Sequence, residues 1–289
     1  MSLPRWAVTD SRASAVLADA IRQLQSTSDS ARRDAEVLLH AACEIDQSSV
    51  IRDPDQLIHH NALAAFHHYL DRRKLGEPIA CILGHKEFWS IDLKLNKATL
   101  TPRPETEVLV ETVLDQIPCD TNSKIVDLGT GCGAVAIALA SERVHAQITA
   151  TDISSVALFQ AAENAAALGL QICFLQSDWF SKLQGTQFDL IVSNPPYIRT
   201  DDPALEAGTA RFEPAEALFG GMDGLDCLRT ICWEAKNHLN PGGFLALEHG
   251  YDQKDAVAIL IKEAGLELNS QIDDYAGLPR VTTALRPET

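Results

Sequence analysis

The chain has 289 residues, 46% of them hydrophobic and 22% charged, enough for one large domain or two smaller ones with a sizeable core. Its 24 basic residues are outnumbered by 40 acidic ones, for a formal net charge of -16, which disfavours a face that tracks nucleic-acid phosphates or an anionic membrane and would steer toward a basic protein partner. Seven cysteines, an odd number with no pair at the two-residue gap of zinc sites, read as reduced small apolar side chains; with no basic-then-apolar leader and no stretch long enough to span a bilayer, the expected location is the cytoplasm.

Residues from about 10 to 75 predict a small helical bundle. Val16, Leu17, Ile21 and Leu24 share one stripe at helical spacing. Ala35, Val37, Leu38, Leu39 and Ala42 form a second, after the polar start Ser28-Asp29-Ser30. Leu57, Ile58, Leu63, Phe66, Tyr69 and Leu70 form a third, ending near Gly76. His59, His60, His67 and His68 look like a metal cluster, but on a helix His60 and His67 stand about 10 Å apart in rise, too far to share an ion. They are expected to form a polar face.

Polar and apolar residues then alternate over 87–95, which predicts a β-hairpin. Thr101-Pro102-Arg103-Pro104 stops regular structure, and a helix is expected to begin at Glu105-Thr106-Glu107. From about 120 the pattern becomes strand, loop, helix, repeated. Strands are predicted at 124–128, 147–152, 172–176, 188–192 and 243–248. Helices are predicted at 134–140, 154–168, 225–238 and 257–264, with two closing strands near 266–272 and 281–285. The fold class is α/β: a mainly parallel sheet covered on both faces, with an antiparallel hairpin at one edge.

Ligands of such sheets bind outside the carboxyl ends of the strands, and four motifs fall there. The first is Asp127-Leu128-Gly129-Thr130-Gly131-Cys132-Gly133, a strand running through glycines into a helix. Its spacing is neither that of dinucleotide binders nor that of a P-loop, and it reads as a close backbone approach to a ligand or as a tight turn alone. The second is Asp152, about 20 residues after the glycines, placed to accept the two hydroxyls of a ribose or to cap the helix beyond. Third comes Ser177-Asp178-Trp179-Phe180, a carboxylate and an aromatic plane that suit an adenine ring, or a capped turn with a core Trp.

The fourth motif is Ser193-Asn194-Pro195-Pro196-Tyr197. Two prolines fix the backbone, so that the Asn194 side-chain carbonyl and a backbone carbonyl face one point and Tyr197 supplies an aromatic wall. Two acceptors aimed at one NH2 group orient its lone pair, and for so poor a nucleophile orientation and close approach must carry much of the rate. The bland alternative is a rigid turn.

With these motifs the chain resembles the seven-stranded, Rossmann-like class I S-adenosylmethionine-dependent methyltransferases over roughly residues 105–286. Within them it is similar to the protein-(glutamine-N5) methyltransferases that modify peptide chain release factors. The likeness extends to Arg32-Arg33-Asp34-Ala35-Glu36, Gly76-Glu77-Pro78-Ile79-Ala80, Glu87-Phe88-Trp89 and Leu247-Glu248-His249-Gly250. The Asn-Pro-Pro-Tyr motif alone would also fit DNA adenine methyltransferases; Pro102-Arg103-Pro104-Glu105-Thr106-Glu107 and Arg211-Phe212-Glu213-Pro214 narrow the match.

The resemblance implies three regions: a helical substrate-recognition domain at 1–76, a connector with the hairpin at 77–104 and a catalytic domain at 105–289. S-adenosylmethionine would be the cofactor, with no metal and no nucleophilic side chain required, because the sulfonium is already a good leaving group. Gly129, Thr130, Gly131, Cys132 and Gly133 would line its methionine and ribose, Asp152 would hold the ribose hydroxyls, and Asp178 and Trp179 would meet the adenine. Asn194 and the Pro195 carbonyl would bind the substrate amide, held by Pro196 and with Tyr197 beside it. The implied substrate is the glutamine of the Gly-Gly-Gln loop of class 1 release factors, met by a chain that is a monomer and contacts neither nucleic acid nor membrane. Cys132 stands where Thr or Ser is common. Arg103 and Glu107 read as either functional or merely fixing the connector, and Glu248 and His249 as near the cofactor edge or buttressing it. The rival readings are an exocyclic-amine methyltransferase of nucleic acid and a non-catalytic regulator that binds the cofactor or the release factor.

Overall fold

The computed structural model describes residues 11–202 and 209–288. Contacts divide the chain into two compact units, Met1–Leu83 and Gly84–Thr289.

The first unit is helical: α1 (Ala13–Leu24), α2 (Ala31–Cys43), α3 (Gln47–Arg52), α4 (His60–Lys74) and α5 (Ile79–Leu83). The three predicted stripes meet in one cluster, through Val16, Leu17 and Leu24, through Ala35, Leu38 and Leu39, and through Leu63, Phe66 and Leu70. A buried ion pair joins α2 to the end of α4: Arg73 Nε stands 2.7 Å from Asp34, which also accepts from the hydroxyls of Ser28 and Ser30. That carboxylate is thus fully partnered, the condition under which a buried charge is tolerated. Two short helices escaped the sequence pattern. α3 buries no residue, so it has no apolar stripe to betray it. α5 is a five-residue apolar run, too short to show a period. Leu57 was expected on the buried stripe, yet it is 72% exposed and forms an antiparallel bridge with Arg12. His59 caps α4, its ring Nδ1 accepting from Asn61 N, and no group of His, Cys, Asp and Glu among the described residues could hold a metal.

The second unit opens with a hairpin, β1 (His85–Phe88) and β2 (Ile91–Lys94). Trp89 and Ser90 turn it with φ of 54° and 58°, the left-handed pair that matches strand twist in a two-residue loop. After α6 (Thr106–Gln116) the strands and helices alternate: β3 (Lys124–Leu128), α7 (Ala134–Glu142), β4 (Gln147–Asp152), α8 (Ser155–Ala167), β5 (Cys173–Gln176) and β6 (Phe188–Ser193). α9 (Asp226–His238), β7 (Leu239–Glu248), α10 (Lys254–Glu263), β8 (Glu267–Asp273) and β9 (Pro279–Leu285) complete the unit. The seven strands lie in the order β5-β4-β3-β6-β7-β9-β8, with β5 to β7 parallel and β9 and β8 antiparallel at the edge.

Both faces of the sheet are covered. Ile125, Leu190, Val192 and Ala246 pack into one core with α6 and α7, while Val126, Leu128, Ile191, Leu245 and Leu247 pack into another with α9 and α10. Alternate residues of each strand serve opposite cores, which is why these strands read as unbroken apolar runs. β7 begins four residues before the expected Gly243. Gly242 N donates to Arg286 O beside a register shift between Phe188 and Leu190, so the pairing runs through Asn240-Pro241-Gly242. α10 likewise begins one turn before Val257, on polar residues without a stripe.

Candidate active site

The strand order reverses between β3 and β6, so the crevice at their carboxyl ends is the place where this topology leaves room for a ligand. The glycine loop leaves β3 there and the Asn-Pro-Pro-Tyr segment leaves β6. One hydrogen bond ties the two exits together, from Ser193 Oγ to Leu128 O at 2.7 Å. A cavity of about 310 Å³ opens above them, lined by Gly129, Thr130, Gly131, Cys132, Asp152, Asp178, Trp179, Asn194 and Pro196, together with Arg103 and Thr106. Nine of the twelve site residues inferred from sequence therefore share one space.

The other three stand behind it. Gly133 is the first residue of the α7 turn, at φ 89°, and a Cβ there would stand 2.9 Å from Ile137 Cδ1 and 3.1 Å from Ala161. Its value lies in packing α7 against α8. Pro195 is buried. Tyr197 turns its hydroxyl to Glu248 Oε1 at 3.1 Å, and its carbonyl accepts from Gln253 Nε2 at 2.9 Å.

The loop is held by its own side chains. Asp127 lies under it, accepting from Thr130 Oγ1 at 2.6 Å and from Ala136 N at 3.2 Å; burial pushes its pKa up to about 7 against those two bonds. Asp152 is not the cap of α8, because Ser154 takes that place, its hydroxyl accepting from Ala157 N. Instead its two oxygens accept from Gly131 N and Ser154 N, each at 2.9 Å, and burial raises its pKa against these bonds. Four lone-pair sites on a carboxylate leave room for further donors from the cavity. At Gly131, φ is 58° and a Cβ would meet only open space, so the loop exposes bare backbone to the cavity. Trp179 is half-buried rather than a core residue, with φ 44°. Its ring edge lies against the Gly129 backbone, Cζ3 being 3.5 Å from where a Cβ would stand. Burial pushes Cys132 up to about 12, which leaves it a protonated lining residue with no nucleophilic role.

Asn194 is oriented by a residue that the motif does not contain. Its Nδ2 donates to Thr106 Oγ1 at 3.0 Å, at the first turn of α6. That uses the amino side of the amide and leaves the carbonyl oxygen for a donor in the cavity. Thr106 and Tyr197 both present hydroxyls to Glu248, which ends β7 fully buried; burial lifts its pKa to about 7, opposed by those hydroxyls and by Arg280. Burial and the Glu248 charge push Tyr197 well above the ordinary phenol range. The sequence places Glu248 near the cofactor edge or as a buttress, and Thr106 only within the segment 102–107, with no role of its own.

The connector residues have partners too. Glu107 Oε1 accepts from Trp89 N at 2.9 Å and so holds the hairpin turn. Arg103 pairs with Glu213, whose other oxygen accepts from Thr101 N at 3.0 Å. The two segments that narrowed the family resemblance are thereby bound to each other.

Known proteins resemble the chain along most of its length. Residues 15–84 match the family described as PrmC N-terminal domain, and residues 104–221 match Methyltransferase small domain. The Release factor glutamine methyltransferase of Vibrio cholerae is 45% identical over 271 residues, covering 93% of this chain and 94% of that protein. Its namesakes in Xylella fastidiosa strain Temecula1 and Escherichia coli strain K12 are each 44% identical, over 89% and 92% of this chain and 94% and 96% of theirs. Among solved structures, a methyltransferase from Pyrococcus furiosus aligns with TM-score 0.53 at 19% identity, over 76% of this chain and 98% of that one. The ribosomal protein L11 methylase of Lactobacillus delbrueckii aligns with TM-score 0.50 at 21% identity, over 68% and 85%. At those identities the two structures speak for the fold alone.

Proposed function

The chain belongs to the release factor glutamine methyltransferase family, and on that premise we propose that it methylates the N5 amide nitrogen of the glutamine in the Gly-Gly-Gln motif of class 1 peptide chain release factors. It is an S-adenosylmethionine-dependent enzyme. When bound, that cofactor supplies a methyl group on a sulfonium, a good leaving group.

The residues present suit it. Bare backbone at Gly131, with Thr130 and Cys132 beside it and Gly133 holding the loop on α7, would line the methionine and ribose. Asp152 keeps lone pairs that would take the ribose hydroxyls, and Asp178 and Trp179, which line the same cavity, would meet the adenine. Asn194 Oδ1 and the Pro195 carbonyl accept the two N–H groups of the substrate amide. With both protons held in the amide plane, the nitrogen presents its weak lone pair across the cavity, and Pro196 and Tyr197 keep the backbone from relaxing. The observation that carries this reading is the bond from Asn194 to Thr106, which fixes the carbonyl as the free end of the amide.

The acidic balance favours a protein substrate over a nucleic acid or an anionic membrane, and the proposed enzyme acts as a monomer in the cytoplasm. Among the described residues no helix is long and apolar enough to cross a membrane.

Two experiments test the proposal. Labelled cofactor is incubated with a class 1 release factor and with the same factor carrying Gln→Ala in its Gly-Gly-Gln motif; label is expected only on the first, and label on the second, or on DNA or RNA instead, sinks the substrate assignment. The Asn194→Ala enzyme is expected to lose about a hundredfold or more in kcat, the scale of losing one preorganised polar contact to a reacting group. Full activity in that variant would remove Asn194 from the chemistry.

A further inference from the structure

The amino-acid end of S-adenosylmethionine carries a carboxylate, and a loop leading into a helix ordinarily meets an anion with backbone N–H groups. In this loop the N–H groups of Gly129, Thr130, Gly131 and Gly133 are already occupied. Gly129 N and Thr130 N donate to Thr151 O at 2.9 and 2.8 Å, Gly131 N to Asp152 Oδ2 at 2.9 Å, and Gly133 N to Thr130 O at 2.9 Å. The side chains of the cavity wall are no better suited to an anion. Asp127, Asp152, Asp178 and Glu216 bring four carboxyl groups, and among the described lining residues Arg103 is the one with a cationic side chain.

Arg103 is also held as a binding residue would be. Pro102 and Pro104 flank it and restrict the backbone on both sides. Its Nη2 donates to Glu213, a carboxylate whose side chain is only 1% exposed. Glu213 is itself anchored by Thr101 N at 3.0 Å. Nε and Nη1 donate to no described residue, and the side chain keeps 39% of its surface. A guanidinium has five N–H donors in a planar fork, so one corner tied to a buried acid leaves an edge free for a second carboxylate.

We propose that Arg103, aimed by Glu213, binds the carboxylate of the cofactor's methionine moiety. The inference rests on the reading of this cavity as the S-adenosylmethionine site, and it makes Arg103 a determinant of cofactor recognition and Glu213 a positioning residue.

The test uses titration calorimetry on the full chain with S-adenosylmethionine and with its decarboxylated analogue, which keeps the adenosine, the sulfonium and the amine. The native protein is expected to prefer the full cofactor by about ten- to a hundredfold, the scale of a charge-assisted hydrogen-bonded contact. The acidic wall alone would favour the more cationic analogue, so a preference in the other direction reports on a cation at the carboxylate. Arg103→Met is expected to lose the same factor for S-adenosylmethionine and to bind the analogue unchanged within about twofold, so that the two affinities converge. Native protein that fails to discriminate overturns the proposal. So does a variant that weakens both ligands alike while still binding 5′-methylthioadenosine, which lacks the amino-acid end and reports an intact cavity. Should that variant not fold, the native comparison decides by itself. Native protein that binds none of the three ligands would instead bring down the reading of the cavity.

Discussion

Thr106 and Asn194 lie 88 positions apart in the chain, yet the hydrogen bond between them sets which atom of Asn194 faces the cavity. An ionised carboxylate only accepts hydrogen bonds, so Glu248 takes the Tyr197 hydroxyl and favours a Thr106 hydroxyl that points toward it and accepts from Asn194. A protonated Glu248 can donate instead, which frees Thr106 to reverse. Because the pKa of Glu248 is lifted to about 7, kcat is expected to rise as pH climbs through about 7. Of the groups facing Glu248, Tyr197 lies far above that range and Arg280 stays charged. Glu248→Gln is expected to lower kcat roughly tenfold and flatten that limb of the pH profile. An unchanged limb in the variant would assign it to another group, Asp127 being the candidate because burial lifts it to about 7 as well. Both acids have folded-state pKa values above the ordinary carboxylate range, so the native state binds more protons than the unfolded one in between. Their contribution to stability is therefore greatest at the acid end of that window and is lost as pH rises toward about 7. At this scale Asp152, Trp179 and Asn194 were legible because each sits in a short motif at a strand end. Thr106 was not, since a threonine beginning a helix has no signature of its partner.

Asn164 shows how one side chain can hold three elements. From α8 its Oδ1 accepts from Lys94 N at 3.1 Å, and its Nδ2 donates to Lys94 O at 3.0 Å and to Cys132 O at 2.9 Å. It thus pins the hairpin strand β2 and the glycine loop to one helix, at a buried site. The hairpin has two further ties, Trp89 N to Glu107 and Trp89 Nε1 to Glu142, both 2.9 Å. Asn164→Ala removes the partner of one buried backbone group, Cys132 O, and of two part-buried ones on Lys94, and is expected to destabilise the protein by about 1–3 kcal/mol. Urea denaturation measures this directly; a loss under about 1 kcal/mol would mean that water replaces the amide without strain. In sequence, Asn164 is a polar residue in an Ala-rich helix and carries no sign of its partners. Elements themselves were legible where burial imposed a period. They were missed at α3, which buries nothing, and at the start of β7, where pairing with the chain after β9 extends the strand through Pro241 and Gly242.

For the molecule as a whole, an excess of 16 negative charges sets the terms of encounter with a protein substrate. Long-range attraction to a basic face is screened within about 10 Å at 0.1 M salt, whereas the chemistry inside the cavity is shielded from it. Raising salt from 50 to 300 mM is expected to increase KM for the release factor severalfold with little change in kcat; an unaffected KM would show that charge does not steer the encounter. The family relatedness agrees with the fold, and both were within reach of the sequence, because a two-faced sheet demands apolar strands at regular intervals and a cofactor demands glycines and acids at their ends. What the sequence by itself determined were these periodic elements, the α/β class and the motifs that fit a methyl transfer to a planar nitrogen. Only the tertiary structure decided which side chains finish the site. The strand reversal between β3 and β6 brings the ends of α6 and β7 against the Asn-Pro-Pro-Tyr segment, and hydrogen bonds among residues so far apart in the chain leave no local pattern to read.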